Sequence, residues 1–135
     1  MTTVIFACVH NAGRSQMAAA LFNALADPSI ARASSAGTNP GDRVHPEVVA
    51  VMAELGFDLS ASIPQKLTPE RAAQAGMLIT MGCGDDCPVV PGVRRDDWPL
   101  ADPKARPLEE VRRIRDDIRA RVQELIAREH WSSRT

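Results

Sequence analysis

The stretch that decides the fold is Thr3-Val4-Ile5-Phe6-Ala7-Cys8-Val9-His10-Asn11-Ala12-Gly13-Arg14-Ser15-Gln16-Met17-Ala18. Its first six residues are brief, β-branched and mostly apolar, which suits a buried strand rather than a helix. From Ser15 the apolar positions Met17, Ala20, Leu21, Ala24 and Leu25 recur at helical spacing. The pattern stops at Asp27-Pro28, where proline cannot continue a helix. Strand, glycine-containing loop and helix follow one another directly, so the loop stands at the carboxyl end of a strand, where open α/β sheets bind their ligands.

The rest of the chain repeats this alternation. Residues Ile30 to Ala36 read as a second short strand, and Asn39-Pro40-Gly41-Asp42 as a turn. Pro46 opens a second helix whose apolar face is Val48, Val49, Met52 and Leu55, with Gly56 as its C-terminal stop. Thr68-Pro69-Glu70 is a hydroxyl cap, proline and first-turn acid that open a short helix closed by Gly76. Met77-Leu78-Ile79-Thr80-Met81 reads as another buried strand. Val93 to Trp98 supplies a short edge strand within a segment rich in Gly, Pro and Asp. Leu108, Val111, Ile114, Ile118, Val122, Leu125 and Ile126 then mark a long amphipathic helix. The expected fold is a single α/β domain over residues 1–135, with a central parallel sheet of about four strands flanked by helices in three layers.

Composition narrows the function classes. Hydrophobic residues at 44% and charged residues at 24% are near globular averages and argue against a disordered chain. No apolar run approaches the roughly twenty residues of a membrane span. The N-terminus shows neither the basic start nor the small-residue cleavage site of a secretory signal, so a cytoplasmic location is expected. With 16 basic and 17 acidic side chains the formal charge is −1, so no global field draws the protein to nucleic acid or membrane, and any anion site must be local. The arginine-rich face of the last helix, Arg112, Arg113, Arg115, Arg119 and Arg121, is interleaved with Glu109, Glu110, Asp116, Asp117 and Glu124 at helical spacing and reads as a salt-bridged solvated surface. His45 and His130 look incidental, Trp98 a packing residue, and Trp131 part of a frayed end. The chain has no Tyr and three Cys, and an odd cysteine count in a reducing compartment points to reactive thiols or a metal site rather than a closed disulfide framework.

The loop Cys8-Val9-His10-Asn11-Ala12-Gly13-Arg14-Ser15 has a definite chemical use. Backbone N–H groups of Val9 to Arg14 turned inward, with the helix N-terminus behind them, cradle a tetrahedral oxyanion. Arg14 offers a planar fork for two of its oxygens, and Gly13 allows the tight backbone. The same field stabilises a thiolate on Cys8, to which Ser15 can donate, and aims it at the anion's centre. A strand-end cysteine with an arginine six positions on also arises by chance as a small buried hydrophobe. The strand before, the helix after, and Gly13 and Ser15 flanking Arg14 are what favour the chemical reading.

This wording, Cys8 through Ala18, resembles the arsenate reductases of the low-molecular-weight tyrosine phosphatase fold. The resemblance continues through Ser35-Ala36-Gly37-Thr38, Met81-Gly82-Cys83-Gly84-Asp85-Asp86-Cys87-Pro88 and Asp97-Trp98-Pro99-Leu100-Ala101-Asp102-Pro103, nearly the full length. It implies that Asp102 is the general acid, a residue that alone would read as an ordinary Asp-Pro turn. Some of the resembled enzymes border a potassium site at the loop asparagine, here Asn11, with acidic groups from the first helix and from the segment after the second. This chain has Ala19 and Gln65 near those places, so no metal is expected.

Arsenate to arsenite is a two-electron reduction, and the protein must hold the oxidation as a disulfide until a donor removes it. On the resemblance, Cys8 attacks arsenic, Asp102 protonates the departing oxygen and Arg14 steadies the charge. Cys83 then attacks the sulfur of Cys8, and Cys87 takes the disulfide over to Cys83–Cys87. Gly82 and Gly84 would let that segment move. Nothing is expected to be bound as a cofactor. Reducing equivalents come from thioredoxin, the expected protein partner, or from a small thiol. Mycothiol- or glutaredoxin-linked reduction, an idle Cys87, a tyrosine phosphatase, and a zinc site on the three cysteines with His10 remain the alternatives. With no Tyr, three Phe and two Trp, few side chains are available to stack a substrate ring, which favours a small naked oxyanion.

Overall fold

In the computed structural model, which describes residues 1–82 and 90–132, strand β1 spans Thr2–Cys8 and is paired on both sides. With β2 (Ala31–Gly37), β3 (Met77–Thr80) and β4 (Arg94–Asp97) it forms a parallel sheet in the order β2-β1-β3-β4. Side chains alternate across it, as period-two geometry requires. Val4, Phe6, Cys8, Met77 and Ile79 face the larger core. Ile5, Ala7, Ala36 and Leu78 face a smaller one closed by Leu67, Ala72 and Ala75.

Among the described residues the helices are α1 (Arg14–Leu25), α2 (Pro46–Ala53), α3 (Pro69–Ala73) and α4 (Leu108–Glu129). The first, second and fourth cover the larger core through Met17, Phe22, Val48, Met52, Ile118 and Val122, while α3 lies over the smaller one. The sequence signals for their ends hold. Thr68 Oγ1 accepts from the Arg71 N–H at 3.1 Å, and Gly56 takes φ +88° just beyond α2. Strand β4 is an exposed edge of two arginines and two aspartates. Such charges discourage pairing with another chain, and they are also why its sequence signal is faint. No described helix is long and apolar enough to cross a membrane.

Two expectations are corrected. Trp131 is not in a frayed end: it is buried, its ring meets Phe22 edge-on at 5.9 Å, and its carbonyl accepts from the Asp27 N–H at 2.8 Å. His130 in the left-handed region, φ +60°, turns the chain back after α4 so that this contact can form. Arg115 is not part of the solvated face either. It is 8% exposed and donates through Nη1 to the Val51 carbonyl at 2.9 Å and to Glu54 at 2.7 Å. Hydrogen bonds first from Arg112 and then from Arg115 hold the Glu54 carboxyl down at about 2, so this tie between α2 and α4 persists well into acid.

Parallel register brings the carboxyl ends of all four strands to one edge. Cys8 lies opposite Gly37, Ala7 opposite Thr80, and Thr80 opposite Asp97. The loops after β1, β2 and β4 therefore leave side by side. Gly82 stands at the same edge, immediately before the segment carrying Cys83.

Candidate active site

The loop after β1 is turned inside out relative to an ordinary turn. The carbonyls of Cys8, Val9, His10 and Ala12 all point away from its centre and accept from the N–H groups of Thr38, Asn39, Gly41 and His45, at 2.7–3.1 Å. The Gly13 carbonyl accepts from Met17 N–H at 3.0 Å, and that of Asn11 from the Gln16 side chain at 3.1 Å. With its carbonyls so occupied outside, the loop can turn N–H groups inward, as Asn11 does toward Cys8 Sγ at 3.2 Å, which is the electrostatic requirement for holding an anion.

Asn11 makes this shape possible. It is fully buried and sits at φ +50°, a region asparagine tolerates better than most residues. Its Oδ1 accepts from Gln65 N–H at 2.9 Å and from Gln16 Nε2 at 3.2 Å. Its Nδ2 donates to Ser15 Oγ at 2.7 Å. Two N–H donors thus occupy the oxygen, and Gln65 arrives there through its backbone. Asn11→Ala is expected to cost about 3 kcal/mol of unfolding free energy, measured in urea. The left-handed backbone penalty accounts for roughly 1 kcal/mol, and a buried N–H left without its acceptor for the rest.

Cys8 is 2% exposed and carries a free thiol. Its Sγ lies 2.9 Å from Ser15 Oγ and accepts from Asn11 N–H at 3.2 Å. Ser15 Oγ also accepts from Asn11 Nδ2, so the amide, the hydroxyl and the sulfur form one linked set of buried hydrogen bonds. Arg14 is 8% exposed. One guanidinium nitrogen, Nη1, donates to the Leu100 carbonyl at 2.9 Å, while Nε is buried with no partner among the described residues. A buried charged donor without an acceptor is costly unless a ligand completes it, and an oxyanion in the loop is such a ligand.

The Asp102 loop leans on this cradle. A Cβ on Gly13 would fall 2.7 Å from Pro103 Cγ, so glycine is required by the close approach as well as by the tight turn. Asp102 Oδ1 accepts from Lys104 N–H at 3.0 Å, and its carbonyl accepts from Arg106 Nε at 2.5 Å. Trp98 is buried with its ring 5.5 Å from Phe6, which anchors the start of the same loop to the core. Beside the cradle lies a cavity of about 370 Å³ whose lining among the described residues includes His10, Ala12, Gly41, Arg43, His45 and Lys104 and no Phe, Tyr or Trp. His10 Nδ1 donates to the Asn39 carbonyl at 3.0 Å, which fixes one wall.

The structure thus brings Cys8, Val9, His10, Asn11, Ala12, Gly13, Arg14 and Ser15 into one loop, with the Asp102 loop against it. Cys83 and Cys87 lie outside the described residues. Among the described residues no three His, Cys, Asp or Glu side chains come together to hold a metal. His45, read in the sequence as incidental, belongs to the wall of the site: its N–H holds the Ala12 carbonyl at 2.8 Å, and a Cβ on Gly13 would lie 3.4 Å from its ring. The available signal was its place directly before a helix-opening proline.

Burial is the main cause that lowers the His45 pKa, and Asp102 and Glu47 offset part of this. The folded state therefore disfavours the protonated ring, and below the ordinary value of 6.5 the unfolded chain binds the extra proton. Stability from this group is complete above pH 6.5 and is lost as pH falls from there through the lower folded value. Urea midpoints across that window should decline, and His45→Gln should flatten the decline.

Known proteins resemble this chain over most of its length. Residues 3–130 match the family model described as low molecular weight phosphotyrosine protein phosphatase. A protein of Halobacterium salinarum that carries arsenate reductase in its name is 41% identical over 89% of this chain and 87% of its own length. The glutaredoxin arsenate reductase of a Synechocystis species is 35% identical over 95% of this chain and 98% of its own. The solved thioredoxin-dependent arsenate reductase of Corynebacterium glutamicum superposes with a TM-score of 0.78 at 38% identity over 93% of this chain. This chain spans 60% of that protein's length. A family match over residues 3–130, with relatives at 41% and 35% identity over nearly the whole chain, shows that the chain belongs to the low molecular weight phosphotyrosine protein phosphatase family.

Proposed function

We propose that this protein is an arsenate reductase in which Cys8 is the nucleophile and Cys83 and Cys87 form a disulfide relay recharged by thioredoxin. The observation that carries the reading is the inverted loop, with a buried thiol at its base and beside it a buried Arg14 Nε that has no partner among the described residues. An anion in the cradle satisfies the arginine and sets its central atom before the sulfur. Relatives at 41% and 35% identity that carry arsenate reduction in their names supply the substrate.

The chemistry balances as follows. Thiolate of Cys8 attacks arsenic, an S–As bond forms, and one oxygen leaves as water with a proton from Asp102. Inward N–H groups and Arg14 hold the remaining oxygens. Cys83 thiolate attacks the Cys8 sulfur, and the electron pair of the S–As bond passes to arsenic, which leaves as arsenite. Two thiols have lost two electrons and arsenic has gained them. Cys87 thiolate then attacks the Cys83 sulfur, Cys8 departs as thiolate, and the Cys83–Cys87 disulfide is reduced by a donor dithiol.

The family's description favours a second reading, hydrolysis of phosphotyrosine. The cavity beside the loop argues against it, since among the described residues its lining is histidine, arginine, lysine and small residues, with no Phe, Tyr or Trp to stack an aryl group. The deciding experiment follows NADPH consumption with and without arsenate, coupled either to thioredoxin and its reductase or to glutaredoxin, glutathione and glutathione reductase. Arsenate-dependent oxidation with thioredoxin, and a one-turnover stall in Cys87→Ser with Cys8–Cys83 trapped, is the expected result. Turnover only in the glutaredoxin system would overturn the relay and leave the nucleophile standing, and turnover of phosphotyrosine alone would overturn the reductase.

A further inference from the structure

The Arg14 guanidinium is not fixed by α1 alone. Nη1 donates to the Leu100 carbonyl, two residues ahead of Asp102, and the other side of the group lies against Gly82. A Cβ built on Gly82 would fall 2.3 Å from Nη1, 3.2 Å from Cζ and 3.5 Å from Nη2. All three of its nearest neighbours belong to that one guanidinium. Gly82 also sits at φ +99°, a conformation that side-chain-bearing residues rarely adopt.

We infer that Gly82 is a positioning residue for anion binding: the absence of a side chain there gives the Arg14 guanidinium its seat between the main chain ahead of Cys83 and the main chain ahead of Asp102. A methyl group at 82 overlaps the guanidinium, which is the far end of a flexible side chain, whereas Gly82 follows directly on Met81, whose N–H is held by the Ala7 carbonyl at 2.7 Å. The arginine therefore gives way, and the fork is turned off the oxyanion. Since a planar fork matches two oxygens only in one orientation, a displacement of this size costs affinity rather than fold. The inference rests on the reading of Arg14 as the anion's partner.

Gly56 provides the control that separates backbone strain from the arginine contact. It has a similar φ of +88°, but nothing lies within 4 Å of a Cβ built there. The experiment measures inorganic phosphate binding to the reduced full chain by calorimetry, for wild type, Gly82→Ala, Gly82→Asn, Gly56→Ala, Arg14→Lys and the Gly82→Ala/Arg14→Lys double variant, with thermal midpoints for each. Asparagine is included because it tolerates positive φ better than alanine while still carrying a Cβ, and the thermal midpoints report whether each variant folds. Gly82→Ala and Gly82→Asn are expected to weaken phosphate at least tenfold, and Gly56→Ala to stay within twofold despite a comparable drop in midpoint. In the Arg14→Lys background, the substitution at 82 should add less than threefold, because the two act through one group. Phosphate affinity of Gly82→Asn within twofold of Gly56→Ala overturns the inference. If Arg14→Lys itself leaves phosphate binding unchanged, the reading of Arg14 has failed instead, and the two failures are thereby distinct.

Discussion

Cys8→Ser is expected to lower arsenate-dependent turnover by on the order of 10⁴-fold or more while the protein still binds phosphate, because losing the nucleophile of a covalent mechanism leaves only binding and electrostatics. The substitution changes one atom. It leaves in place the bonds that hold the loop, since the carbonyls of residues 8, 9, 10 and 12 are fixed by backbone N–H groups and Asn11 by Gln65 and Gln16. Phosphate should bind within about threefold of wild type or more tightly, as a neutral hydroxyl repels the anion less than a thiolate. What is lost is the nucleophile: a thiol is intrinsically far more acidic and more nucleophilic than a serine hydroxyl, which has no adjacent general base here to activate it. Residual arsenate reduction above about a hundredth of wild type would place the attacking thiol elsewhere.

Much of this site was legible in the chain because its parts are local. Strand, glycine, arginine, serine and helix fall within sixteen residues, and each is demanded by a separate physical need, so their coincidence is informative. What local spacing does not reveal is how the loop is held open. Its carbonyls are taken by the N–H groups of Thr38, Asn39, Gly41 and His45, some thirty residues on. Backbone donors leave no trace in residue type, and His45 accordingly looked incidental. Arg115 misled for a related reason: its spacing matches the charged face of α4, but its guanidinium reaches the Val51 carbonyl across the helix interface. Trp131 was misread because closure of the chain end depends on a contact with Phe22, which no periodicity records. The faint signal of β4 has the opposite origin, since an edge strand of Arg94, Arg95, Asp96 and Asp97 has little to bury.

Asp102→Asn is expected to slow single-turnover arsenite release by about 10²- to 10³-fold, the range that a positioned proton donor contributes. Formation of the S–As bond expels an oxygen that leaves readily only as water, so a carboxylic acid must reach it as the bond breaks. The aspartate loop is docked for that purpose at two points, Pro103 against Gly13 and the Leu100 carbonyl on Arg14 Nη1, so its side chain is held by contacts with the same loop that holds the anion. Asparagine keeps the acceptor oxygen that receives the Lys104 N–H at 3.0 Å and preserves the loop, while it removes the transferable proton. Phosphate affinity should therefore remain within about twofold, which separates proton donation from loop collapse. The measurement must be of a single turnover with enzyme in excess of arsenate, because steady-state rates limited by disulfide delivery to the donor would hide the step. An unchanged single-turnover rate would mean that arsenate loses its oxygen without help, and Asp102 would then serve only to fasten its loop to Lys104 and Arg106.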